Sequence, residues 1–280
     1  MIRFFDNFEK FKKEVLELGC RIEIDRIAEL DFPFFESQDK FVIVYIPEYN
    51  VTRPKNFILM SKEYTFTYTN RELNNYGNNF KQIMKKPYGE STLITFLLLK
   101  SVLKNYSGEF EKVREEMNRL DLNPILEKIE NAGRALRRLT DRIEELFQLM
   151  IVLKEREIKE LNTKLISFDY EILNAEARYW LERCRSHIYR IASLRTKSEM
   201  ESNKELNETM KRLTVIITFL TIISIVVNVP GTIGAIFGIP ALSDVYFRGH
   251  TVFLVLTLIS ATFLSIILGY LYWKSLKLGK

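Results

Sequence analysis

Histidine is almost absent from this chain, with only His187 and His250 in 280 residues. That scarcity starves most catalytic triads and most metal centres of their usual base or ligand. Cysteine is as rare: Cys20 and Cys184 lie far apart, without metal-site spacing, and read as reduced thiols. No glycine-rich phosphate loop follows any expected strand. Charge of one sign is not in large excess either, since 41 Lys and Arg face 36 Asp and Glu for a net +5. The two signs are interleaved, which argues against a nucleic-acid partner. The first residues, MIRFFDNFEKFKKEV, contain no uninterrupted apolar core, so no cleaved secretion signal is expected. Two further absences are more telling. Between Gly133 and Pro230 there is neither glycine nor proline for 96 residues, and from Leu213 to Phe237 there is no charge at all.

The uncharged stretch organises the rest. Its 25 residues are long enough, at 1.5 Å each, to cross the ~30 Å apolar core of a bilayer as a helix. A second apolar run, residues 251–273, begins after only 13 intervening residues, so a tight hairpin of two spans is expected. Lys204, Lys211 and Arg212 precede the first span, and Lys274, Lys277 and Lys280 follow the second. The intervening loop, 238–250, holds Asp244, Arg248 and His250. The positive-inside rule then places both termini in the cytoplasm, in a cell membrane.

The first span carries a polar stripe. At 100° per residue, Asn207, Met210, Thr214, Ile217, Thr218, Thr221, Ser224 and Asn228 share one sector of roughly 120°. Ser and Thr can bond back to their own helix, but an amide facing lipid leaves several groups unpaired. The stripe is expected to face water or copies of itself. Pro230 should kink the helix and free a carbonyl beside Ser224 and Asn228, forming a polar girdle.

The remaining sequence reads as an α+β unit followed by helices. Phe4, Phe5, Phe8, Phe11, Val15 and Leu18 recur at helical spacing, and Gly19 supplies a stop. Cys20, Ile22 and Ile24 alternate with charges as a half-buried strand does. Phe41–Ile46 is apolar throughout, which suits a central strand, and residues 57–60 and 64–69 suit a hairpin. Residues 74–89, rich in Asn, Gly and Pro, suggest a loop. Domain limits follow: 1–90 α/β, 91–160 helical, 161–212 a stalk helix, 213–237 and 251–273 spans, and 274–280 a basic tail. The helix from Leu93 is expected to end near Tyr106-Ser107-Gly108. The 96-residue run is expected to break once, near 154–163, giving a long second arm. Along it Leu161, Leu165, Phe168, Ile172, Ala175 and Tyr179 form a seam for a neighbouring helix. Arg178, Arg183, Arg185, Arg190, Arg195 and Lys197 read as a solvated face paired with acids on adjacent helices, or as a cation-repelling ring.

Asn207-Glu208-Thr209-Met210-Lys211-Arg212-Leu213-Thr214 resembles the N-E-x-M-K-x-L-T start of the first membrane helix in CorA-type divalent-cation transporters. Two C-terminal spans and a basic tail fit the same pattern. The resemblance implies a homopentameric funnel whose first spans line a pore and whose second spans face lipid. It implies a polar ring at Asn207 and apolar constrictions at Met210 and Leu213. In such pores a hydrated Mg²⁺, which dehydrates reluctantly, is held through its waters by carbonyl and amide oxygens. The family closes its first span with an aromatic followed by Gly-Met-Asn. Here Phe237-Gly238-Ile239-Pro240 stands in that place, a register that keeps the aromatic; an ungapped register puts Pro230-Gly231-Thr232-Ile233 there instead, and neither has the Met or the Asn.

Two functions therefore compete. One is a channel for Mg²⁺, or for Co²⁺, Ni²⁺ or Zn²⁺, in the bilayer, with Thr214, Ile217, Thr221, Ser224 and Asn228 along its wall and Asp244 in the outer loop. The other is a non-conducting oligomeric sensor or scaffold of the same build, which the missing Met-Asn favours. No covalent cofactor is expected. Nor is an enzyme, since the loop offers Asp244 and His250 but no nucleophile or second acid at useful spacing. Asp169, Glu171 and Glu176 fall where such proteins carry regulatory acids, without matching a motif.

Overall fold

The computed structural model describes residues 1–20, 22–38, 40–49, 55–71, 73, 78–156, 158–238 and 251–278. Two compact units divide at residues 199 and 200.

The first unit begins with strand β1 (Ile2–Phe5), helix α1 (Phe8–Glu17) and the short helix α2 (Ile24–Glu29). Strands β2 (Phe34–Gln38), β3 (Phe41–Ile46), β4 (Asn56–Met60) and β5 (Thr65–Tyr68) follow. The sheet order is β1-β5-β4-β3-β2. Among the described strands the β1–β5 pair is parallel and the other three pairs are antiparallel. The run FVIVYI is apolar at every position because both sheet faces are covered. Ile43, Tyr45, Phe57, Leu59 and Phe66 pack with Phe11, Val15 and Ile27 beneath α1 and α2. Val42, Val44, Ile46, Ile58 and Met60 join the core built with the following helices. As expected, β3 lies inside the sheet, and β4 and β5 form the hairpin.

Three local expectations fail. Phe4 and Phe5 belong to β1 and not to the first helix, because Asn7 caps α1 by accepting from the Glu9 and Lys10 amides. Cys20, Ile22 and Ile24 form no strand: the helix α2 starts at Ile24, and all three side chains turn into the core under the sheet. A helix, α3 (Asn78–Met84), occupies part of the expected loop, whose residues 74–77 lie outside the described residues. The turn after α3 brings Tyr88 to a left-handed φ of 59°. A Cβ on Gly89 would then sit 1.9 Å from the Ile83 carbonyl oxygen, so glycine is required there.

Helix α4 (Gly89–Leu122) runs straight past Gly108 and does not end at Tyr106-Ser107-Gly108. Buried Val102, Tyr106, Phe110, Val113 and Met117 hold it on one side, and that packing overrides the cost of a mid-helix glycine. Helix α5 (Leu126–Glu155) returns antiparallel to it, and a single 3₁₀ turn (Thr163–Ile166) leads into α6 (Ser167–Phe237). The break falls where expected. The connector is tied to the first turn of α4: Ser91 Oγ donates to the Glu160 carbonyl at 2.5 Å, and the Asn162 amide donates to Thr92 Oγ1 at 2.9 Å.

The buried seam of α6 is Tyr170, Leu173, Ala177, Leu181, Cys184, Ile191 and Leu194, continuing from Ile166 of the 3₁₀ turn. Of the expected seam only Leu161 is buried; Phe168, Ile172, Ala175 and Tyr179 are exposed along the neighbouring stripe. Burial raises the Cys184 thiol to about 12, which keeps it an inert thiol. A polar knot ties the sheet to α4. Arg71 meets Glu48 at 2.6 Å through both carboxylate oxygens and donates to the Ser101 carbonyl at 2.8 Å, while Asn56 and Asn105 also donate to Glu48.

The second unit holds the C-terminal part of α6 and helix α7 (Thr251–Leu278). Both contain stretches long and apolar enough to cross a membrane.

Candidate functional site

Within the second unit the two apolar helices touch at defined points. A Cβ on Gly269 would lie 2.9 Å from Ile222 Cγ2 and 3.7 Å from Val226 Cγ2. One on Gly234 would lie 3.7 Å from Leu258 Cδ1. Phe219 and Trp273 meet edge to face, centroids 6.4 Å apart. These contacts run in opposite directions along the two helices, so α6 and α7 form the expected hairpin. Ser265 and Gly269 are buried, one helical turn apart, and Ala261 is partly covered a turn earlier. Small residues spaced by four let the helix backbones approach. That spacing was legible in the sequence and would have named the contact face of α7.

Ile222 and Val226, with half-covered Thr218 one turn earlier, mark the side of α6 turned to α7. At 100° per residue that side lies roughly 130° from the centre of the polar stripe. Asn207, Met210, Leu213, Thr214, Ile217, Thr221, Ser224 and Asn228 are all exposed in the single chain. Thr218 is the exception: it belongs to the α7 side and leaves the stripe.

Polar groups on the stripe are largely engaged within their own helix. Thr214 Oγ1 donates to the Met210 carbonyl at 2.8 Å, and Thr221 Oγ1 to that of Ile217 at 2.9 Å. Asn228 Nδ2 donates to Ser224 Oγ at 2.9 Å, so the expected girdle pair is brought together. Helix α6 continues through Pro230, and Thr232 Oγ1 donates to the Asn228 carbonyl at 2.8 Å. The helix ends at Phe237, and the Gly238 amide reaches back to the Gly234 carbonyl at 3.0 Å. Ile239, Pro240 and Asp244 lie outside the described residues.

The basic residues of α6 in the first unit are mostly spoken for. Arg185 pairs with Glu144 at 3.1 Å and Arg195 with Glu199 at 2.9 Å. Arg190 pairs with Asp121 and takes Asn118 at 2.9 Å. Arg178 lies over the Phe147 ring, and Arg183 over Phe110 and Tyr179. Arg185 and Arg190 thus pair with acids on adjacent helices, as one of the two readings expected. Among the described residues no three His, Cys, Asp or Glu side chains gather as a metal centre, Asp169, Glu171 and Glu176 included.

The fold is that of a known transporter structure. The chain is similar to the CorA magnesium transporter of Methanocaldococcus jannaschii, with a TM-score of 0.58 over 95% of this chain and 88% of that one, at 13% sequence identity. No family model matches the sequence, and neither does any curated protein.

Proposed function

We propose that the protein is a membrane channel for divalent cations, Mg²⁺ first among them, formed by a ring of five copies with α6 lining the axis. The observation that carries this reading is the uncovered polar stripe on α6. A helix in a bilayer that turns this stripe away from α7, with the amides of Asn207 and Asn228 not fully met within the helix, calls for water or further copies on that side. The CorA-like fold supports the same arrangement. In it, Asn207 rings the inner mouth, Met210 and Leu213 narrow the path, and Thr214, Ile217, Thr221, Ser224 and Asn228 line the wall. Phe237, Gly238, Ile239 and Pro240 stand at the outer mouth, Asp244 in the loop, and both termini in the cytoplasm. A hydrated cation would pass through its water shell, with oxygens of the wall accepting from those waters.

A second reading, a non-conducting sensor or scaffold of the same build, is favoured by Gly238-Ile239-Pro240, where Pro240 brings neither a side-chain oxygen nor a backbone donor. One pair of measurements separates them. Purified protein in liposomes is scanned for uptake of Mg²⁺, Co²⁺, Ni²⁺ and Zn²⁺, and its mass in detergent is taken by light scattering. The channel requires flux together with a pentamer, about 165 kDa of protein at 33.1 kDa per chain. A pentamer without flux supports the scaffold; a stable monomer or dimer defeats both.

A further inference from the structure

Helix α4 spends a glycine where nothing in its own chain asks for one. Gly108 is exposed in the middle of a 34-residue helix, and a Cβ placed on it would meet no atom within 4 Å. Such a residue lowers helix stability, and among the described residues nothing packs where its side chain would be. Its use is to let another backbone or ring come close. Lys100 and Lys104 are exposed on the same helix, and among the described residues neither has an acidic partner.

The other half of the match lies on α5 and α6. A groove of about 500 Å³ runs between them, lined by Phe147, Ile151, Ala175 and Tyr179, by Glu155, Glu171 and Glu182, and by Lys154 and Arg178, which are engaged by Glu171 and by the Phe147 ring. Phe168, Ile172, Ala175 and Tyr179 continue it along α6 at four-, three- and four-residue steps, and Phe168 is 74% exposed. Glu155 and Glu182 have no cation partner among the described residues; Glu171 has Lys154 at 3.3 Å. The Asn174 side-chain oxygen lines the groove, buried and without a hydrogen bond.

The two faces lie at matching heights. Phe110 packs on Trp180, centroids 5.6 Å apart, and Asp121 pairs with Arg190, so α4 and α6 run in parallel. Gly108 is thus level with Tyr179. Lys100, ten residues before Phe110, is level with Tyr170, next to Glu171, which pairs at 3.3 Å with Lys154 of α5, the neighbour of Glu155. We infer that the α5–α6 groove seats α4 of a second copy of this chain, with Tyr179 closing on Gly108 and the Glu155–Glu171 rim meeting Lys100 and Lys104. The two faces differ, so the contact is head to tail and builds a ring. The inference extends the self-association in the proposed function by assigning its site on the first unit.

Cysteine crosslinking of the full chain in detergent tests it. In a C20A/C184A background, chosen because both native thiols are buried, G108C and Y179C are made singly and together and treated with a short bismaleimide. The double variant is expected to give a ladder of crosslinked species, and each single variant none. Dimers from a single variant, or no ladder from the double, overturn the proposal. Should the background fail to fold, Gly108→Leu in the native chain decides. It is expected to raise the melting temperature of the dissociated chain, through better helix propensity, while lowering the oligomeric fraction; an unchanged oligomer overturns the proposal. Lys100→Glu should likewise reduce the oligomer, and adding Glu155→Lys should restore it. Flux without the ladder leaves the channel standing and removes this interface; the ladder without flux does the reverse.

Discussion

Asn228 donates one amide hydrogen to Ser224 Oγ at 2.9 Å, one turn back on the same helix. The bond fixes the amide plane and leaves its carbonyl oxygen free to accept. Asn228→Leu removes that oxygen at little folding cost in an apolar setting. The expected result is loss of cation flux in liposomes with the oligomer unchanged. Weakening of the oligomer by something near 0.6–2 kcal/mol per contact would make Asn228 an interhelical tie instead. A variant that assembles and conducts normally would remove the stripe from the pore.

Gly269 faces Ile222 with no room for a methyl, since its Cβ would lie 2.9 Å from Cγ2. Gly269→Leu should destabilise the α6–α7 hairpin by about 1–3 kcal/mol, the usual range for overpacking. Thermal unfolding in detergent reads it. Gly269→Ala is expected to be milder, and Ile222→Ala in the same chain should recover most of the loss because it removes the clashing carbon.

The Glu48–Arg71 pair is well buried, with side chains 8% and 18% exposed. Glu48→Gln leaves a buried guanidinium without its counter-charge, and the expected cost is about 3–5 kcal/mol. Denaturant unfolding followed by far-UV circular dichroism checks this. A loss below about 1 kcal/mol would mean that Ser101 and water suffice for Arg71.

His187 sits edge-on to Phe110, 5.0 Å between centroids, with its Nδ1 at 3.0 Å from the Arg183 carbonyl. Burial, first, and then Arg183, Arg190 and Arg114 lower its pKa below the ordinary 6.5, although the Arg183 carbonyl opposes them. The folded state therefore binds this proton less readily than the unfolded chain does. Its contribution to stability is complete above the unfolded value and is lost as pH falls through 6.5 towards the lower folded value. Melting temperatures between pH 7.5 and 5 should fall less steeply for His187→Gln than for the native chain. Parallel slopes would refute the assignment.

The sequence revealed most where one physical demand acted alone. Leu213–Phe237 is as apolar and uncharged as crossing lipid would demand, and Phe41–Ile46 had to be apolar on both faces to sit inside a covered sheet. It misled where two demands overlapped. On α6, Phe168, Ile172, Ala175 and Tyr179 are as apolar and as regularly spaced as Tyr170, Leu173, Ala177 and Leu181. Periodicity finds both stripes but does not say which one the chain itself covers. Gly108 looked like a stop because glycine usually is one; its helix is held by Tyr106 and Phe110 on the other side. In the candidate site the stripe was legible, while the side occupied by α7 required Gly269 and Ile222 in contact.

The threonines of α6 have a further effect on whatever liquid meets them. Thr214 and Thr221 each direct the hydroxyl proton inward, to the carbonyls of Met210 and Ile217. What remains outward on those oxygens is lone-pair density, which accepts hydrogen bonds and donates none. Water against such a wall must turn its protons towards the protein. Water around a cation already does so, because its oxygens point at the ion, whereas the shell of an anion presents oxygens that the wall cannot serve. In the proposed channel, two back-bonded hydroxyls would thus sort ions by the orientation of their hydration shells, with no formal charge in the span.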